Sequence, residues 1–521
     1  MTDYILPPGL PVASMSMGYA DVTSKFQNPF SGLTRTVSRP GAPWRMSLDL
    51  RNLSSTDRVR FMSWLAGMRG AANRVFVPVP GYTRRGSFPA PELLTNNDFS
   101  NGTTGWTTTN ATFTVADRVA RLTATTPAAN VEIYRSATFE AYVPYVFRSM
   151  LIDSPQTVGL AIGRYLGFGS VSDYSTSRGL GSISGVSLTA GAASIFPAVF
   201  SSVSGFTAGA FLDIPWASAA RCALVDNAPN ALTYSDQFDN SAWTKSAVTV
   251  TANTGTAPDG TATAESILET ATTAQHFLAQ SATKAAAAQD WEFKIAVRSG
   301  LTRGFAWFEI DDGTGSNSAI GYVNLTTGAI TNTAVAGTFT NLRTFSGDMG
   351  NSWWYLSVIV RTGAGTTIRG VVGPATAAGT NSYAGNTSNG IYAWRGGLAQ
   401  SSVPSMLSLT VASALPSGTA QTGSGLYLKG LPVSTSGLLL PGDYCEINTG
   451  ELHMVAASLN SDAAGLGYLQ LTRAVRSSPA DSSPVIVNNP MAKMILNSDQ
   501  QGWSTQPGIF SDSTVQFDEA A

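Results

Sequence analysis

Cysteine, histidine and charge are all scarce in this chain. Cys222 and Cys445 are the only cysteines in 521 residues, too few for a disulfide framework or a zinc site. His276 and His453 are the only histidines. They lie far apart, in no metal-ligand spacing and beside no Gly-x-Ser-x-Gly elbow, so nucleophilic catalysis lacks support. Charged residues make up 12% of the chain and the net charge is −2, about half the usual charged share. Phosphate recognition needs clustered Lys and Arg, so sequence-specific nucleic acid is excluded as a partner. No apolar run approaches the roughly 18 residues of a membrane helix, and no membrane insertion is expected. The start, Met1-Thr2-Asp3-Tyr4, has neither the basic nor the apolar region of a signal peptide. Synthesis in the cytoplasm is the expectation, with any exit by assembly and lysis.

Gly, Ser, Thr, Ala and Asn fill the deficit in charge, and the hydrophobic share of 43% is ample for packed cores. That balance is turn-rich and β-rich, and the length implies about two to four domains. Trp44, Met46, Leu48 and Leu50 alternate with Arg45, Ser47, Asp49 and Arg51, the period of a half-buried strand. Ser54-Ser55-Thr56-Asp57 offers N-caps for a helix over 56–69 with Val59, Met62, Leu65 and Met68 on one face, closed by Gly70. Its Arg58, Arg60 and Arg69 either face a partner or stand in solvent over the end of a barrel. A strand at 74–80 follows, and the segment stops at Phe88-Pro89-Ala90-Pro91.

Two cassettes with similar openings come next. The first runs Leu94-Thr95, Phe99, Asn101, Trp106-Thr107, and the second Leu232-Thr233, Phe238, Asn240, Trp243-Thr244. Each closes on a strand with tryptophan, at Trp216 and Trp394. Repeated openings and closings indicate two versions of one β-sandwich plan. Short strands at 438–440, 444–447, 452–455, 468–471 and 485–487 are expected to complete the barrel begun at the N-terminus. The predicted fold class is mostly β: a split β-barrel or sandwich scaffold with one short helix, carrying two inserted jelly-roll sandwiches. The expected divisions are 1–88 and 420–521 for the scaffold, 89–225 for the first insert and 226–419 for the second.

Several runs carry a family resemblance. Leu10-Pro11-Val12-Ala13-Ser14-Met15, Phe30-Ser31-Gly32-Leu33-Thr34-Arg35-Thr36, Arg39-Pro40-Gly41-Ala42-Pro43-Trp44 and Gly70-Ala71-Ala72-Asn73-Arg74 resemble the distal tail protein of long non-contractile-tailed bacteriophages. So do Leu440-Pro441-Gly442-Asp443-Tyr444, Leu452-His453-Met454-Val455, Arg476-Ser477-Ser478-Pro479-Ala480-Asp481 and Val487-Asn488-Asn489-Pro490. The second insert resembles the jelly-roll modules of phage tip and fibre proteins through Tyr322–Gly328, Gly350-Asn351-Ser352-Trp353-Trp354-Tyr355 and Tyr392-Ala393-Trp394. The resemblance implies a homo-hexameric ring in the virion, at the tail tip between tail tube protein and tail-tip hub protein, near the tape measure protein. It also implies inserts that reach host-surface polysaccharide. A trimeric fibre protein and a glycan depolymerase are the alternatives.

Candidate chemistry is sparse. Asp311-Asp312 before Gly313-Thr314-Gly315 is the densest acidic cluster and reads as a hairpin turn. Calcium binding by Asp311, Asp312, Asp98, Asp236 or Asp239 is supported by no motif, and no cofactor is expected. No catalytic residue is assigned. His453 reads as a solvent-facing strand position. Sugar rings stack on aromatic side chains, so Trp307, Trp353, Tyr355 and Tyr322 are the candidate carbohydrate-binding residues, with Trp307 also open to a core role. Trp106, Trp243, Trp216 and Trp394 recur at matching places and read as packing residues.

Overall fold

The computed structural model describes residues 43–126, 208–414, 420–498 and 511–520 continuously, with shorter described runs between 3 and 38, between 131 and 202, and at 504–505. Of the N-terminal runs that carry the resemblance, residues 30, 32–33 and 39–42 lie outside the described set. The fold is mostly β, with one α-helix among the described residues.

Trp44–Leu53 is the strand its alternation predicts. Trp44, Met46, Leu48 and Leu50 are buried while Arg45 and Arg51 are exposed. It lies between Val12–Tyr19 from the N-terminal segment and Ser511–Glu519 from the far end of the chain. Leu48 stands opposite Met15 on one side and Val515 on the other. Arg74–Pro78 pairs in parallel with Asp3–Ile5 and antiparallel with Met491–Leu496. One sheet is thus woven from both ends of the sequence, and both inserts leave and return between its strands.

The helix Ser55–Met68 covers the apolar face of this sheet. The Ser54 hydroxyl accepts from the Asp57 amide at its start, and Arg69 ends it in the left-handed conformation. Its buried face is Phe61, Trp64, Leu65 and Met68, with Trp64 against Phe517 at 6.3 Å between ring centroids. Val59, read from the sequence as part of that face, is exposed. The two bulky aromatics set the rotation of the helix, since they bury more apolar area than a valine does.

The strands expected to finish this sheet do something else. Tyr444–Ile447, Glu451–Met454, Gly467–Gln470 and Pro484–Val485 are present, and 438–440 contributes only a single bridge between Leu439 and Leu459. With Gly425–Lys429 they enclose a separate core of Leu426, Leu428, Ile447, Val455, Leu469 and Val485. Ala223–Val225 joins this group, pairing with Gly425–Lys429 and with Pro484–Val485. The turn between the inserts is therefore stitched into the scaffold. So is the proline-rich break, because Phe88 and Ala90 are buried in the same core. Asp443 accepts from the amides of Arg85, Gly86 and Leu440. Gly86 passes so close to the Leu438 carbonyl that any side chain there would collide with backbone.

The second insert is a sandwich of two six-stranded sheets. One runs Thr244–Ser246, Phe277–Thr283, Thr367–Ala375, Phe305–Asp311, Ser318–Asn324, Ile330–Ala336, and its strand pairs are antiparallel. The other holds Val248–Gly255, Ala264–Glu269, Gly390–Ala399, Asp290–Leu301, Trp353–Arg361 and Thr340–Asp348. Phe293, Ile295, Val297, Phe308, Leu356 and Val358 fill the space between. The first insert is smaller. Its Gly- and Ser-rich middle supplies the short strands Tyr174–Ser175, Gly179–Gly185, Ala193–Ile195 and Phe200–Ser202, and much of the remainder lies outside the described residues. A buried ion pair of 2.8 Å, Arg148 to Glu446, fixes this insert to the scaffold.

Glu519 joins both ends of the chain. Its carboxylate accepts from the Trp44 amide at 3.0 Å and from Arg473, and lies 2.9 Å from Arg476. Glu519→Ala should weaken the scaffold by about 3 kcal/mol, since it strands buried guanidinium charge. Hydrogen exchange would show this as faster exchange across Trp44–Leu53 and Ser511–Glu519 with the second insert unchanged. Unaltered exchange in those strands would refute the clamp.

Candidate functional site

The two cassette openings fold alike, atom for atom in their key bonds. Phe99 packs on Trp106 at 5.3 Å and Phe238 on Trp243 at 4.8 Å. The Trp106 indole donates to the Asn96 carbonyl and the Trp243 indole to the Tyr234 carbonyl, each at 2.9 Å. Asn96 and Tyr234 both adopt the left-handed conformation that turns those carbonyls inward. After each tryptophan a three-residue strand joins one sheet, and a left-handed residue, Asn110 or Ala247, passes the chain to the next. Glu92 and Asn230 occupy the same place, each accepting from a leucine amide and from a residue of the closing strand.

The closing tryptophans are not equivalent. Ala217 donates to Asn97 as Gly396 does to Ser235, which aligns Trp216 with Arg395 instead of Trp394. Trp394 is buried and donates to the Thr263 hydroxyl at 3.1 Å, whereas Trp216 is half-buried near the Arg148 guanidinium, 5.5 Å away.

The four candidate sugar-stacking residues are core residues. Trp307 is 1% exposed, Trp353 0%, and Tyr355 and Tyr322 5% each. Trp353 and Trp354 project to opposite faces as their adjacency requires. Both are held by indole bonds, Trp353 to the Thr256 carbonyl and Trp354 to the Leu325 carbonyl. The Trp353 and Tyr355 face of this sheet is covered by the segment 401–408. Beneath it, Glu292 accepts from the Tyr355 and Ser357 hydroxyls and from the Ser405 amide, and Lys294 reaches the Ser405 hydroxyl. Alternation in Trp291–Val297 therefore marks two buried faces, one apolar and one a satisfied polar network.

Trp307 and Tyr322 pair across strands on the outward face of the other sheet, together with Glu309 and Asp311. Trp307 lies over Gly373, where a side chain would strike the His276 carbonyl. Asp311 is locked to Arg369 by two bonds of 2.8 and 2.5 Å and also accepts from the Gly313 amide. Asp312 caps Thr314 and Asn317, which is the turn chemistry the sequence announced. Burial, and then the Asp311 charge, push the Glu309 carboxyl up to about 7. Glu265 in the opposite sheet is pushed to about 7 by burial and by Asp239, whose amide it also accepts. Asp98 is tied up in a turn with Ser100. Among the described residues no cluster of three His, Cys, Asp or Glu could hold a metal ion, and no helix is long and apolar enough to cross a membrane. His453, expected in solvent, is fully buried against Glu451 at 3.0 Å.

Open aromatic surface lies elsewhere, where the second insert meets the C-terminal unit. A cleft of about 340 Å³ is walled by Met349, Tyr355, Trp394, Met406 and Leu407 from the insert side. Tyr427, Leu428, Asp462, Leu466 and Tyr468 wall it from the scaffold side. Tyr427 and Tyr468 stand directly opposite on neighbouring strands, their rings 4.9 Å apart and tilted by 53°. They are 45% and 47% exposed.

No protein-family model and no curated protein matches this chain. Among the solved structures similar to it is the N-terminal CBM22-1–CBM22-2 tandem domain of Xyn10C from Paenibacillus barcinonensis. The alignment covers 60% of this chain and 99% of that one at 12% identity, with a TM-score of 0.20. At that score the likeness is loose, and no site follows from it.

Tyr468 escaped notice because 468–471 reads as an ordinary barrel strand, and Tyr427 because Gly425–Lys429 was not among the strands expected from the sequence. The one available signal was the period-two placement of tyrosine opposite apolar Leu426 and Leu428, which puts the phenols on the other face.

Two outcomes are expected. Trp307→Ala and Trp353→Ala should each destabilise the second insert by about 3–5 kcal/mol in calorimetry. An unchanged melting temperature with lost glycan binding would instead return them to the ligand face. For Glu309 the folded carboxyl holds its proton up to about 7 while the unfolded one releases it near 4.5. Stability therefore falls as pH rises through that window. Glu309→Gln should match the parent protein at pH 4 and exceed it at pH 8 by about 3 kcal/mol, read from paired denaturation curves. Equal curves at both pH values would remove the buried-acid account.

Proposed function

We propose that this protein is a structural ring component at the distal end of a long, non-contractile phage tail, and that its inserts are displayed toward host-surface glycans. On this reading six copies close a ring between tail tube and tail-tip hub, with no chemical step of their own. One observation carries it: strands from residues 3–78 and 491–519 form a single sheet around both inserts. A scaffold built this way holds its passengers by both ends, so each insert can be large and still keep a fixed seat. The short ties at Ser87–Phe88, Ala223–Val225 and Arg148–Glu446 give those seats. The runs that resemble the phage family lie mainly in this scaffold, on both sides of the inserts.

A ring needs a heterologous interface that closes on rotation. Native mass spectrometry of the full-length protein, with negative-stain class averages, tests for it. Six copies around an open channel are expected. A trimer would move the protein to the fibre class, and a persistent monomer at high concentration would refute the ring.

A further inference from the structure

The cleft between the second insert and the C-terminal unit has the chemistry of a sugar site, and we infer that it binds a neutral saccharide through Tyr427, Tyr468 and Asp462. The inference is independent of the ring and does not place the sugar on either insert's own sheet faces.

Tyr427 and Tyr468 are large aromatics almost half open to solvent on a strand pair whose other face is fully buried. Their rings meet at an angle of 53°, which makes a shallow cradle whose faces can take the apolar C–H face of a pyranose. Binding sites of this kind are concave and mostly apolar, with a few fixed polar groups. The cleft fits that description: Met349, Met406, Leu407, Leu466 and Trp394 supply apolar wall, and methionine adapts readily to an irregular ligand.

Polar groups narrow the ligand class. Asp462 binds the amides of Ala464 and Leu466 through Oδ1 alone. That leaves Oδ2, which has no partner among the described residues, to accept from a hydroxyl. Asp226 at the floor is already engaged by the Met406 amide at 2.5 Å. No Lys or Arg lines the cleft. An anionic ligand such as a uronate or a sugar phosphate would meet carboxylate with no free cation in the wall, a costly arrangement. The Lys429 amine, 3.9 Å from Asp226, is buried and already paired with Asp481 at 2.8 Å. A neutral sugar offers hydroxyl donors to Asp462 and a C–H face to the tyrosines. The volume of about 340 Å³ suits one or two sugar rings.

The site also explains why the tyrosines stand where they do. Backbone bonds run from the Asp226 amide to the Tyr427 carbonyl and from the Leu431 amide to the Gly465 carbonyl. The cradle is thus anchored on both sides, by the turn between the inserts and by the Asp462 loop. Little rearrangement is needed to bind.

The test uses the full-length protein and saturation-transfer NMR with calorimetry. Probes are neutral tetrasaccharides of glucose, galactose, mannose and N-acetylglucosamine, with a tetragalacturonate as the acidic control. At least one neutral probe should bind and the acidic one should not. Tyr427→Ala and Tyr468→Ala should each weaken binding about tenfold, the upper range of one aromatic contact. Asp462→Asn should weaken it as well. Both tyrosines are exposed, so an unchanged melting temperature confirms that these variants fold. The cleft assignment is overturned if no neutral probe binds, if the acidic probe binds better, or if binding survives the double tyrosine variant. The last result would place sugar recognition on the inserts. A hexamer that fails this test leaves the ring standing, and a monomer that passes it leaves the cleft standing.

Discussion

Everything in this molecule depends on the hydrogen-bonded contact between Trp44–Leu53 and Ser511–Glu519. Two stretches more than four hundred residues apart must meet in register, and the loop-closure cost of such a meeting rises only slowly with the length between them. Closure of each insert shortens that loop in practice, because each sandwich brings its own ends together. The opening–closing bonds do this directly: Ala217 to Asn97 in one insert and Gly396 to Ser235 in the other. Glu519 then locks the closed sheet with a carboxylate shared by the Trp44 amide and two arginines.

From that closure follows the division of labour. The seven-stranded sheet and its helix form one core, and the smaller C-terminal unit forms another around Leu428 and Val485. The smaller unit acts as a junction box. It takes the proline-rich exit at Phe88, the inter-insert strand Ala223–Val225 and the buried Arg148–Glu446 pair. Ionic groups are few in the sequence, yet several are spent on such joints: Arg148–Glu446, Lys429 between Asp226 and Asp481, and the Glu519 cluster. Buried pairs of this type add little net stability over apolar packing, but each is costly to break. They therefore fix how the parts are seated.

Aromatic residues show why burial decides between packing and recognition. Trp106 and Trp243 follow a repeated sequence pattern and hold the same carbonyl bond in both inserts. Trp307, Trp353 and Tyr355 sit in runs that could face a ligand in many sandwiches. Here the strap 401–408 covers the Trp353 and Tyr355 face, and Trp307 packs over Gly373. Tyr427 and Tyr468, in unremarkable strands, remain open because the second insert stops short of them and leaves a cleft.

The sequence by itself determined the β character, the alternation of Trp44–Leu53, a capped helix directly after it and the common plan of the two openings. These are local signals of period, turn chemistry and repetition, and they survive without knowledge of neighbours. Only the tertiary structure decided which C-terminal strands complete the first sheet. Met491–Leu496 has two methionines and a lysine, and Ser511–Glu519 carries only Val515 and Phe517 as large apolar residues, so neither announces a central strand. Only it decided that Glu292 and Lys294 are buried, that His453 is out of solvent, and that the open aromatic pair is Tyr427 with Tyr468. Each of those outcomes depends on what covers a face, and coverage is set by segments distant in the chain.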